Sequence, residues 1–229
     1  MIKVTRVLSR RAQKAIQALE TAKKQNGTYN LPEVNAALQE IFHGKCYIFE
    51  NKQIVSYQIE HFIAHKGNRD LKYDWNNLFL SCAHCNNTKS DKYKPILDCT
   101  KEDIEEKIAF RKRGFFGTEE ELIFEALDNQ EETIHTQKLL EEVYYGSTPQ
   151  KKLEARIIRR LLRKELSEFK EYVREYEEAE EEDKEDLACL LKQQLSAAFK
   201  RWLIRDNKEF YPELFLLLEK VKNNMLSAV

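Results

Sequence analysis

The sequence predicts an α+β protein in which a small β-β-α unit is set into a mostly α-helical chain. Three observations lead there. Gly and Pro fill only ten of the 229 positions, and 34% of residues are charged, a composition of helices rather than of turn-rich sheets. Apolar residues recur at three- and four-residue spacing over most of the chain. One stretch breaks that period: Ile54 to Ile59 is rich in β-branched and aromatic residues with few helix formers, Phe79-Leu80 is a second strand candidate, and a short helical run follows them.

In chain order, residues 5–24 carry Val7, Leu8, Ala12, Ala15, Ile16 and Leu19 at helical spacing, and Asn26-Gly27 supplies a stop. Leu31-Pro32-Glu33 starts a second helix, with Pro at its first position and Gly44 placed to close it. Two strands separated by the long loop Phe62–Trp75 come next, then one or two helical turns from Cys85, stopped at Lys94-Pro95. After Thr100, the spacings Thr100-x-x-Asp103 and Thr118-x-x-Glu121 read as capping boxes that open helices. Lys151 to about Ala179 is a long helix whose apolar side includes Leu153, Ile157, Leu161, Leu162, Leu166 and Phe169. Leu187–Ile204 and Pro212–Met225 read as two more. The chain thus divides into N-terminal helices (1–43), a central core (44–98) and a helical region (99–229) suited to binding a partner.

No apolar run approaches the ~20 residues that span a bilayer, and the first residues lack a leader's apolar core, so a cytoplasmic protein is expected. Five reduced cysteines then favour metal ligation over disulfides, above all Cys82-x-x-Cys85. The net charge of −1 divides into +6 over residues 1–100 and −7 over the rest. A polyanion would favour the first part.

The chemistry concentrates between Cys46 and Lys92. Cutting a phosphodiester requires a base for water and a cation for the phosphate charge. His61 suits the base, with an unperturbed pKa near ~6.5. A carboxylate and an amide oxygen, Glu60 and Asn86, suit Mg²⁺ or Mn²⁺. Glu60 and His61 are adjacent, so on a straight strand they would point apart, and sharing one site demands a bend there. Asn86 opens the short helix, and Lys89, one turn on, could bind phosphate. Asn77 could pin the long loop by bonds to its backbone. His65 is a candidate for a phosphate, metal-assisting or loop-capping role, and Arg69 for contact with the substrate backbone.

The order Glu60-His61, Asn77-Leu78, Cys82-x-x-Cys85-Asn86-x-x-Lys89 resembles the HNH endonucleases, over about Gly44 to Tyr93. The resemblance implies a ββα-metal core, His61 as general base, Glu60 and Asn86 as ligands of one catalytic Mg²⁺ or Mn²⁺, and Asn77 as the loop brace. Glu60-His61-Phe62 and Tyr73-Asp74-Trp75-x-Asn77-Leu78 are closest to the Septu-type antiphage nucleases of the PtuB kind. That implies an ABC-like, PtuA-like ATPase partner, in some relatives with a retron reverse transcriptase and its DNA, and a DNA or tRNA/RNA substrate.

One departure concerns zinc. Many HNH proteins hold a structural Zn²⁺ with two Cys-x-x-Cys pairs, whereas here the first reads Cys46-Tyr47-Ile48-Phe49. Two outcomes stay open: a Cys3His site of His43, Cys46, Cys82 and Cys85, or an apolar cluster with Phe49 and no zinc. The competing functions are a stand-alone restriction or homing-type nuclease, and a non-catalytic subunit that binds nucleic acid or an ATPase.

Overall fold

The computed structural model describes residues 1–52, 56–114 and 121–226, without the side chains of 223–226. It has the α+β character expected. Ile54 and Val55, at the start of the expected first strand, and Thr118 lie outside the described residues.

Helix α1 (Arg10–Gln25) starts later than residue 5, because the Ser9 side chain accepts from the Ala12 amide and caps it there. Asn26, in the left-handed region, ends it. Helix α2 (Pro32–Ile41) has Pro at its first position, and the Gly44 amide closes on the Gln39 carbonyl at 2.8 Å. Strands β1 (Tyr57–His61) and β2 (Leu78–Cys82) pair antiparallel, with Glu60 opposite Phe79 and His61 opposite Leu78. Cys82 then caps α4 (Ala83–Lys89), its sulfur accepting from the Cys85 amide. The long loop between the strands holds a short helix, α3 (Arg69–Tyr73), capped by Asn68.

Beyond Thr100 the sequence expectation fails in part. The two capping-box spacings introduce no long helix: β3 (Ile108–Arg113) and β4 (Glu121–Ala126) form a second antiparallel pair. Thr100 instead donates its hydroxyl back to Asp98 at 2.7 Å. Alternation in Glu121-Leu122-Ile123-Phe124-Glu125, with Leu122 and Phe124 buried, is the strand signal that the capping reading overrode.

Helices α5 (Glu131–Tyr145), α6 (Pro149–Glu178), α7 (Lys184–Gln194), α8 (Ala198–Asp206) and α9 (Pro212–Leu226) follow. The helix expected over Leu187–Ile204 is two helices, broken at residues 195–197. The break is held by tertiary bonds that no local pattern announces. Lys45 donates to the Ser196 carbonyl and hydroxyl at 2.8 and 2.6 Å, and Glu50 accepts from the Ala198 amide at 3.0 Å. No helix is long and apolar enough to cross a membrane among the described residues.

One hydrophobic core runs from Met1 through Cys46, Phe79 and Tyr144 to Trp202, and a second gathers Phe169, Leu191, Leu195, Ile204, Leu214 and Leu218. The N-terminal segment is stitched into the first. Arg6 donates to the Leu78 carbonyl at 2.6 Å and the Trp75 carbonyl at 3.3 Å, and its guanidinium lies 4.8 Å from the Phe79 ring centre. We expect Arg6→Ala to destabilise the fold by about 2–3 kcal/mol, from the lost charged hydrogen bonds. A denaturant midpoint within error of the parent would show that Arg6 is not a tie.

Candidate active site

The ββα unit puts its polar residues on two sides of β1. Gln58 and Glu60, two apart on the strand, share the side facing α4. There Asn86 donates its amide to Gln58 Oε1 at 2.7 Å. Glu60 is 3% exposed, accepts from Tyr47 Oη at 2.8 Å and pairs with Lys89 Nζ at 2.6 Å. Burial raises the Glu60 carboxyl above its usual range, against the lowering pull of Lys89 and Tyr47. Its second oxygen, Oε2, is buried without a hydrogen-bond partner. The Asn86 amide oxygen also takes no protein hydrogen bond among the described residues.

His61 faces the other way, as strand alternation dictates. Its ring is half-buried against Tyr29, with centroids 4.5 Å apart, and against His65 at 4.7 Å. Nε2 lies 2.9 Å from the Lys72 carbonyl. A carbonyl only accepts, so Nε2 carries the proton and Nδ1 keeps its lone pair. Burial lowers the His61 pKa, and the neighbouring His65, Lys89 and Lys72 charges act in the same direction against the Lys72 carbonyl bond. The bend that would turn Glu60 and His61 toward one point is not present in this conformation. The link between them is Lys89, which bonds Glu60 and also the His61 and Phe62 carbonyls at 3.3 and 2.9 Å.

Asn77 is buried and spans the loop: Oδ1 accepts from the Ile63 amide at 2.7 Å, and Nδ2 donates to the Ile63 and Leu71 carbonyls at 2.8 and 3.0 Å. The other expected residues lie less simply. Lys89, expected at a phosphate, is turned inward, because the buried Glu60 carboxylate holds its charge. Arg69 is exposed and donates to the Lys23 carbonyl. His65 accepts from the Gly67 amide at 3.2 Å, a loop-closing bond. His84, a histidine whose default is exposure, is instead packed between α5 and α6, with Nδ1 2.6 Å from Glu154 and Nε2 2.8 Å from the Val143 carbonyl.

The cysteine frame is partial. The sulfurs of Cys46, Cys82 and Cys85 lie within 4.8 Å of one another, all buried. His43 does not join them, which corrects the Cys3His expectation: His43 and Gly44 both take left-handed φ, 53° and 66°, and turn the chain between that imidazole and Cys46. No fourth His, Cys, Asp or Glu completes the group among the described residues. Phe49, where a fourth cysteine would stand in the two-pair pattern, packs on the Tyr144 ring at 5.9 Å. Burial pushes the Cys85 thiol up, toward its neutral form. Asp103, Glu105 and Glu106 also cluster, but Arg201, Arg205 and Lys222 pair with Glu105 and Glu106 there.

Compared with known families, residues 44–92 match the model described as HNH endonuclease. The match supports a nuclease of the HNH type. No curated protein and no solved structure matched the chain. The matched segment holds both strands of the first sheet, Asn77 and α4, and ends one residue before Tyr93.

Sequence reasoning missed Tyr47, Gln58 and Tyr29. Gln58 carried a signal, since it stands two before Glu60 on one strand. Tyr29 carried none, because only the packing of the α1–α2 connection brings it to His61.

Two outcomes follow. Lys89→Met leaves Glu60 buried and unpaired, so the metal-free protein should lose about 3–5 kcal/mol in chemical denaturation. An unchanged stability would mean that Glu60 is neutral or hydrated there. For His61, the folded pKa lies below the unfolded ~6.5, so its contribution to stability is complete above ~6.5 and is lost as pH falls through the folded value. Imidazole NMR of the metal-free chain should place the His61 midpoint below that of a free histidine, and a midpoint above it would refute the burial argument.

Proposed function

We propose that the chain is a divalent-cation-dependent endonuclease that hydrolyses phosphodiester bonds of DNA or RNA, with His61 as general base. The observation that carries this reading is the His61 ring. The Lys72 carbonyl fixes Nε2–H, and Nδ1 is left as an oriented, neutral acceptor beside the HNH-matched loop. Nδ1 takes a proton from water as the water oxygen bonds to phosphorus and the bond to the 3′ oxygen breaks. Asn77 holds the loop carrying the Lys72 carbonyl at a fixed distance from β1, through Ile63 and Leu71. His65 and Arg69 lie on the same loop, with the His65 ring 4.7 Å from that of His61.

The donor set fits a hard cation. Glu60 offers a buried carboxylate oxygen with no protein partner, and Asn86 an amide oxygen with none among the described residues. Bound there, in a conformation whose β1 end bends to bring Glu60 and His61 to one point, Mg²⁺ or Mn²⁺ would neutralise charge on the phosphate and the leaving oxygen. Lys89 supplies a fixed positive charge at the other Glu60 oxygen and keeps that carboxylate in place. The three sulfurs, if they take Zn²⁺, do so with a ligand from outside the group, and the surrounding helices carry the shape of the core in either case.

The finer part of the proposal is a defence role. The Glu60-His61-Phe62 and Tyr73-Asp74-Trp75 sequences favour a toxic antiphage effector held in check by an ABC-like, PtuA-like ATPase, with or without a retron. Purification with the products of adjacent genes checks that part, and an effector active alone favours the stand-alone nuclease.

His61→Ala should slow cleavage by roughly 100-fold or more, the ordinary worth of a positioned base. The assay should include plasmid DNA, single strands and tRNA, each with Mg²⁺, Mn²⁺ or chelator. Equal cutting by both proteins would move the chemistry to another site or to a contaminant.

A further inference from the structure

Helix α6 carries a second feature of interest, away from β1. Its buried side is Ala155, Ile158, Leu162, Leu166 and Phe169. One flank leans on the HNH-matched segment through Glu154 to His84 and Glu165 to Asn51. The outward side presents Lys152, Arg156 and Arg160, all exposed. These three stand four residues apart, which sets them about 6 Å apart along the axis, each turned about 40° around the helix from the one before. Among the described residues, none of the three side chains makes an ion pair or a hydrogen bond. Lys164 extends the row one step, with only a 3.7 Å contact to the exposed Glu168. The acidic residues of this part of the helix, Glu154 and Glu165, are turned to the other flank. The row is therefore a local concentration of positive charge on a region whose net charge is −7.

Such a row is costly to keep without a counter-charge. Like charges one turn apart repel within a helix. Burial, together with Arg163 and Arg156, pushes the half-buried Arg159 guanidinium down. A regularly spaced polyanion relieves that repulsion and releases its own counterions.

We propose that the Lys152–Arg156–Arg160 row is a nucleic-acid backbone-binding surface, separate from the cutting site, that holds an extended substrate. The choice of a nucleic acid among polyanions rests on the nuclease reading above. Binding at the row is independent of sequence, because cations at this spacing meet phosphates and no base edges. Leu153 and Ile157, 57% and 56% exposed, lie beside the row and would be the anchor if the occupant were instead a protein or a second copy.

The test is fluorescence anisotropy on the full chain carrying His61→Ala, so that substrate survives, with labelled duplex DNA, single-stranded DNA and a structured RNA over a range of salt. Adding Lys152→Gln, Arg156→Gln and Arg160→Gln should weaken binding to all three ligands. It should also flatten the salt slope by about 2.7 for the duplex or about 2.1 for single strands. All three positions are solvated and unpartnered, so the fold should be kept, and circular dichroism verifies it. Unchanged slope and affinity would overturn the proposal. So would loss of binding by Leu153→Ser/Ile157→Ser with the cations intact, which marks a protein face. Capture of phosphatidylserine vesicles without capture of nucleic acid would overturn it too. The parent chain separates the two readings: binding through the row without cleavage under any cation removes the nuclease reading alone, and cleavage with an unaltered salt slope removes the row alone.

Discussion

The buried pair of Glu60 and Lys89 is the contact on which the small core depends. Each side chain is about 3% exposed, so neither charge is tolerable without the other. The pair joins β1 to α4 from inside, and Lys89 adds bonds to the backbone just beyond β1. Two strands of five residues and a helix of seven are too small to fix their own geometry by area burial. A paired charge at their junction permits few alternative arrangements. It also leaves one Glu60 oxygen, Oε2, buried without a hydrogen-bond partner.

What surrounds the unit compensates for an incomplete cysteine frame. Three sulfurs gather, and an aromatic stands where the second pair-mate belongs. Phe49 reaches out to Tyr144 of α5, and Tyr144 in turn meets Phe124 and Phe199. The missing ligand is thus replaced by a contact that continues into the rest of the protein. The same logic explains Lys45 and Glu50, which fasten the break between α7 and α8. The core of the matched segment and the first core of the helical region are a single hydrophobic body.

Much of this was legible. Asn77, Asn86 and the two strands could be placed from spacing, because short motifs act through local backbone and through period-two faces. The side taken by Lys89 was not, since a lysine on a helix ordinarily goes to water, and only the buried carboxylate across from it reverses that preference. His43 failed for a backbone reason, two left-handed residues in succession. The β3–β4 pair failed because Thr-x-x-Asp and Thr-x-x-Glu are as compatible with turns as with helix starts, and strand pairing is settled by contacts far along the chain.

The sequence by itself determined the chemical inventory: an imidazole, a carboxylate and two amides at spacings that one β-β-α unit can gather, and a helix with cations every four residues. Tertiary structure decided what each group faces. It set the Lys72 carbonyl against His61 Nε2, so that one ring nitrogen is spoken for. It drew Lys89 onto Glu60, and it left the α6 cations outside the core. Those outcomes depend on burial and on partners distant in sequence, and a residue's identity carries neither.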